Sequence, residues 1–127
     1  LTAADERSFI GQSGPKCSQF EEQFADIRDL GLQGALQALD VAATDPSDVP
    51  VGPVTVVAVS GVATDLTSSV SDGEQLTSAL VADEQIVFTD GSNEPVTEDI
   101  VGLKVTIGDN EVGCSNILFA DGVIHLL

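Results

Sequence analysis

Few side chains in this sequence could do chemistry. His125 is the only histidine, and histidine is the usual general base near neutral pH. It lies in the apolar run Val123-Ile124-His125-Leu126-Leu127, where strand alternation puts it on one face with Val123 and Leu127. An imidazole in that setting is expected to be a packed residue donating one N–H to a backbone carbonyl. The adjacent carboxylates Asp83-Glu84 and Glu98-Asp99 could in principle serve as an acid and base pair. In a chain with 21 acidic residues such neighbours arise by chance, and there is no Trp or Tyr to hold a sugar ring. No serine stands in a G-x-S-x-G context and no G-x-x-x-x-G-K loop occurs. No catalytic, cofactor-binding or metal-ligating residue is assigned, and the chain does not read as an enzyme.

Two other groups deserve weighing. Asp90, Asn93 and Glu94 cluster in one loop, and Asp109, Asn110 and Glu111 in another, offering the oxygen ligands that calcium prefers. Neither loop has the EF-hand spacing, and Asp, Asn and Gly are also ordinary turn residues. Cys17 and Cys114 form an even pair, which in a secreted protein invites one disulfide between the first helical region and the C-terminal sheet. Two buried reduced thiols are the alternative. Neither cysteine has a second Cys or a His at zinc-ligand spacing.

The elements that must position these residues divide the chain. Ser18-Gln19-Phe20-Glu21 has the form of a capping box, and Phe20, Phe24 and Ile27 recur at helical spacing up to Leu30-Gly31. A second short helix carries Leu32, Ala35, Leu36 and Leu39, and a weaker one is expected over 2–10. Residues 42–53, with three prolines, read as an extended loop. Val54 to Val59 reads as a buried central strand. Ser71-Asp72-Gly73-Glu74 looks like another capping box and predicts a helix over 72–82. Strands are then expected over 85–89, 102–107, 111–114, 116–120 and 123–127, with turns at Asp90-Gly91-Ser92-Asn93, Gly108-Asp109-Asn110 and Asp121-Gly122. The sum is an α+β fold in which N-terminal helices pack on a C-terminal, mostly antiparallel sheet.

Composition narrows the partners. The 127 residues suit a single domain, 1–127. Five Phe, with no Trp or Tyr, leave the core to aliphatic residues and the surface without stacking platforms. The formal net charge is −17, with twelve acids against one base, Lys104, after residue 64. Such a surface repels phosphate backbones and anionic lipid heads, which makes nucleic acid and inner-leaflet membranes poor partners. No apolar run near the start has transmembrane length, so no membrane insertion by this segment is expected. A weak association with divalent cations fits the same charge, as does plain solvation in a saline medium. There is no Met, so Leu1 is not an initiator; a removed signal peptide or a trimmed chain would account for that. The stop in an apolar strand at Leu127 leads us to expect a further tail or domain.

Two segments resemble a known family. Asn116-Ile117-Leu118-Phe119-Ala120-Asp121-Gly122-Val123-Ile124-His125-Leu126 is similar to the C-terminal signature of the fasciclin-type adhesion domain. That signature has an Asp-Ile pair, a few residues, then Asn-Gly-Val-Ile-His-Val-Ile. Asp121, Gly122, Val123, Ile124 and His125 fall on its structural core, with Asp121 in place of Asn and Leu126 in place of the second Val. Gly52-Pro53-Val54-Thr55-Val56-Val57-Ala58-Val59 resembles the family's Gly-Pro-Phe-Thr-Val-Phe-Ala-Pro strand. The order between them also agrees: a Leu-rich helix over 76–81, a strand with Ile86-Val87, Asp99-Ile100, then Gly102 to Ile107.

Departures are equally specific. Val54, Val57 and Val59 replace two Phe and a Pro, residues 60–74 are shorter than the usual helical insert, and the family's Tyr-His pair falls near Glu84-Gln85. The resemblance implies a wedge-shaped, non-catalytic module, secreted or at the cell surface, acting in adhesion or matrix organisation on an unidentified protein or glycan. Integrin binding through the Tyr-His pair is not implied. The competing expectation is a secreted acidic, calcium-responsive binding module of another α+β fold.

Overall fold

The computed structural model describes residues 17–20, 22–44, 52–59, 64–65, 69–73, 83–99 and 104–127. After a 3₁₀ turn, Cys17–Gln19, come helices α1 (Phe24–Ile27) and α2 (Leu32–Ala38). Among the described residues ten strands follow: β1 (Ala43–Thr44), β2 (Val54–Ala58), β3 (Thr64–Asp65), β4 (Val70–Asp72), β5 (Gln85–Val87), β6 (Asn93–Asp99), β7 (Lys104–Ile107), β8 (Asn110–Glu111), β9 (Cys114–Phe119) and β10 (Gly122–Leu126). The described part is mixed α+β and mostly β.

Two four-stranded sheets dominate, ordered β4-β2-β10-β9 and β5-β6-β7-β8, while β1 and β3 form a small parallel pair. Pairing is antiparallel except for β1–β3 and the central β2–β10 pair, where Val57 lies beside His125. β2 is buried along its whole length because both of its faces are covered. Val54, Val56 and Ala58 join Ile124 and Leu126 in a core under the helices, with Phe24, Ile27 and Leu36 above them. Val57 faces a second core formed by Ile86, Phe88, Val96, Ile107 and Val112 of the other sheet region. Each Val, Leu, Ile or Phe side chain so buried contributes about 1.5–3 kcal/mol. The continuous run of β-branched residues in β2 is the sequence trace of that two-sided burial.

Backbone bonds join the two sheets. Thr89 N–H donates to the Val70 carbonyl and Gly113 N–H to the Leu126 carbonyl, each at 2.7 Å. The helical side is fixed by Ala120 N–H donating to the Leu30 carbonyl at 3.0 Å. The placement of N-terminal helices on a sheet thus matches the sequence expectation.

Several element assignments change. The first helix is far shorter than its periodicity implies: Ser18 sits in the 3₁₀ turn, and α1 begins after Gln23, which makes no side-chain capping bond. Phe20, Phe24 and Ile27 are nevertheless all buried, so the apolar spacing was set by the core and not by one continuous helix. The helix predicted from residue 72 does not start there. Val70–Asp72 is a strand paired with Val54–Val56, and Gly73, with φ of +87°, ends it. Pairing and burial of Val70 and Ser71 override the local capping pattern. The rest of that helix, its partner glutamate and the 2–10 helix lie outside the described residues.

Strand β6 was not anticipated, because Pro95 sits within it. Proline lacks the N–H that a ladder uses, but Pro95 is exposed and its carbonyl still accepts Gly108 N–H at 2.7 Å. No described helix is long and apolar enough to cross a membrane.

Candidate functional site

The residues singled out by sequence meet at the β9–β10 hairpin. Gly122 opens β10 with φ of +154°, a conformation side chains rarely adopt. A Cβ there would stand 1.9 Å from the Val54 carbonyl oxygen, so the close approach of β10 to β2 depends on its absence. Val54 N–H in turn donates to the Asp121 carbonyl at 2.8 Å. Asp121 itself is exposed at the turn, and Val123 and Ile124 are fully buried.

His125 is 0 % exposed. Ile124 pairs with Ile117 and Leu126 with Cys114, so His125 faces two residues of β9, Ser115 and Asn116. This is a β-bulge, and Asn116 takes its left-handed position with φ of +59°. The bulge turns the Asn116 N–H toward the imidazole, where it donates to Nδ1 at 3.3 Å. In this bond Nδ1 is the acceptor, so the ring N–H expected to reach a backbone carbonyl would be the one on Nε2. An acceptor Nδ1 belongs to a neutral ring with its proton on Nε2. The packed, structural placement of His125 agrees with the sequence reading; the role of Asn116 was missed. Its trace was the break in strand pattern at Ser115; the structure places the division earlier, with Glu111 in β8 and Cys114 already in β9.

Other polar groups sit on the same sheet. Thr55, Ser71, Ser115 and Asn116 are the remaining buried polar residues among those described. Thr55 Oγ1 donates to the Gly73 carbonyl at 2.7 Å. Ser71 Oγ and Gln23 Oε1 are buried without a hydrogen-bond partner among the described residues.

Cys17 and Cys114 are joined in a disulfide, with Cα atoms 4.9 Å apart and a sequence separation of 97. The bridge ties the 3₁₀ turn to β9 next to the bulge. Of the two sequence alternatives the structure has the bonded one, and no free cysteine remains.

The two acidic turns come to one end of the second sheet. Asn93 and Glu94 belong to β6, not to a loop, which corrects that grouping. Asp90 Oδ1 accepts Ser92 N–H at 2.8 Å, an Asx turn. Hydrogen bonds from the Ser92 side chain and backbone hold its carboxyl below the usual value of 3.8. Across the ladder, a Cβ on Gly108 would overlap the Glu94 carboxylate. Among the described residues no three His, Cys, Asp or Glu side chains are grouped so as to hold a metal ion. Of the carboxylate pairs, Asp83 and Glu84 are exposed, and the Glu84 carbonyl accepts Val96 N–H, two residues short of Glu98.

The hairpin fixes the geometry of the His125 ring and holds it out of solvent. No family model, curated protein or solved structure matches this chain.

Proposed function

We propose that this chain is a non-catalytic extracellular module of fasciclin type, a wedge of helices on sheets acting in adhesion or matrix organisation. One observation carries the proposal. The two segments that resemble the family's strands, 52–59 and 116–126, pair as β2 and β10, the two inner strands of one sheet. Gly122 and His125, both motif positions, have local physical reasons at that pairing. A buried disulfide is compatible with an oxidising, extracellular setting. With no deep aromatic anchor, contact with a partner would be spread over acidic and aliphatic surface.

The test is retention of the folded domain on immobilised collagen and fibronectin, measured by surface plasmon resonance beside the reduced and alkylated chain. Saturable binding by the folded form alone supports the proposal. Equal or absent binding by both on these matrix proteins, and on whole extracellular matrix, opposes it.

The second reading, a calcium-responsive acidic module, draws on the two acidic turns lying at one end of the β5–β8 sheet. It requires that calcium raise the melting temperature well beyond magnesium at equal concentration, by binding the folded state.

A further inference from the structure

We propose that the β5–β8 sheet is a salt-gated unit, closed in a saline medium and opening locally, ahead of the rest of the fold, when ionic strength falls. The inference does not rest on the adhesive role. It stands on where the charge of the chain lies. The segment from Asp83 to Glu111, which carries β5 to β8, holds eight acids and one base, Lys104. Strands β2, β4, β9 and β10 of the main sheet hold one acid between them, Asp72. The chain has only three other bases, Arg7, Lys16 and Arg28. Even if all three lay on the second sheet, its acids would remain in excess.

Asp83, Glu84, Asp90, Asp109 and Glu111 are exposed, so salt reaches them freely. Paired strands run about 4.8 Å apart, which crowds the like charges they carry. The screening length is about 3 Å in 1 M salt and about 30 Å in 0.01 M. In concentrated salt each carboxylate is shielded from the next; in dilute salt the repulsion of the whole set adds up and works against the compact state. The main sheet carries little of this load and is tied covalently. Both cysteines of the chain are used in the bond between the 3₁₀ turn and β9, so no such tie holds β5 to β8. Opening of the second sheet breaks the Thr89–Val70 backbone bond but leaves the Gly113–Leu126 bond, beside the disulfide, in place. It uncovers Ile86, Phe88, Val96 and Ile107 of the second core. Such sub-global opening follows the unit whose own stability is lowest.

The experiment is amide hydrogen exchange of the intact, disulfide-bonded chain in about 0.01 M and about 1 M NaCl, with a chelator present so that calcium plays no part. Val96, Gly108 and Val112 report on the second sheet, where their N–H groups donate to the Glu84, Pro95 and Val105 carbonyls. Val54 and Leu127 report on the main sheet, donating to the Asp121 and Ala58 carbonyls. The first three amides should exchange at least about tenfold faster in dilute salt, while the last two change by less than about twofold. A variant carrying Asp90→Asn, Asp109→Asn and Glu111→Gln, which removes three exposed charges, should lose most of that difference. An equal salt response in both sheets, or none in either, overturns the proposal. So does a folded variant as salt-sensitive as the wild type. Should the variant not fold, the comparison of the two sheets in the wild type decides.

Discussion

The Nδ1 atom of His125 accepts the backbone N–H of Asn116, and each residue explains the other's conformation. The bulge leaves one N–H outside the ladder, and a buried N–H needs a partner. The imidazole supplies it from the facing strand. His125→Phe keeps an aromatic ring but removes the acceptor, and should destabilise the fold by about 1–3 kcal/mol. Chemical denaturation would measure this; an unchanged midpoint would show that the contact contributes nothing.

Backbone handedness at Asn116 gives a second, ordered expectation. Asn116→Gly tolerates φ of +59°, whereas Asn116→Val does not. The valine variant should be the less stable of the two by about 1–2 kcal/mol. The reverse order, read from thermal melts, would mean that the left-handed bulge is absent.

Gly122→Ala should be among the most damaging single changes. The added methyl falls on the Val54 carbonyl, and neither central strand can move without disturbing the core beneath the helices. A loss of at least about 3 kcal/mol is expected. Circular dichroism melts would show it as a large fall in Tm or as failure to fold.

Much of this architecture was legible in the sequence, for reasons particular to each segment. Val54 to Ala58 announced itself because two covered faces demand a continuous apolar run. Leu32, Ala35, Leu36 and Leu39 gave α2 through spacing alone. Elsewhere a local signal competed with a distant one. The capping pattern at Ser71 to Glu74 was outweighed by strand pairing of Val70 to Asp72 with Val54 to Val56, fourteen to eighteen residues away, and Pro95 concealed β6. The site divided in the same way. The motif residues Asp121 to His125 could be read directly, but Asn116 could not. Its role exists only once the β9–β10 register is set, and no composition or period encodes a bulge partner nine residues away.

The disulfide should account for a large share of stability. Closing a loop of 97 residues of sequence separation corresponds to about 4–5 kcal/mol on the chain-entropy view. Urea curves with and without a reductant would measure it, and non-reducing mass spectrometry should find no free thiol. Because Cys114 is fully buried, reduction should require opening of the fold.

Asp90 offers a pH-dependent signature at the surface. Its bonds with Ser92 favour the ionised carboxylate, so its titration midpoint should lie below 3.8. A depressed folded value means that the turn's contribution is present above the unfolded value and is lost as pH falls through the folded one. Carboxyl-detected NMR of the wild type and of Ser92→Ala would check it. The midpoint should rise toward the ordinary value in the variant.

The most direct test of the account is the register of the two motif strands, read from nuclear Overhauser contacts between backbone protons. Parallel contacts that place Val57 beside His125 and Thr55 beside Val123 are the predicted result. An antiparallel pattern, or a folded protein in which these strands do not touch, would contradict it and remove the main support for a fasciclin-type module.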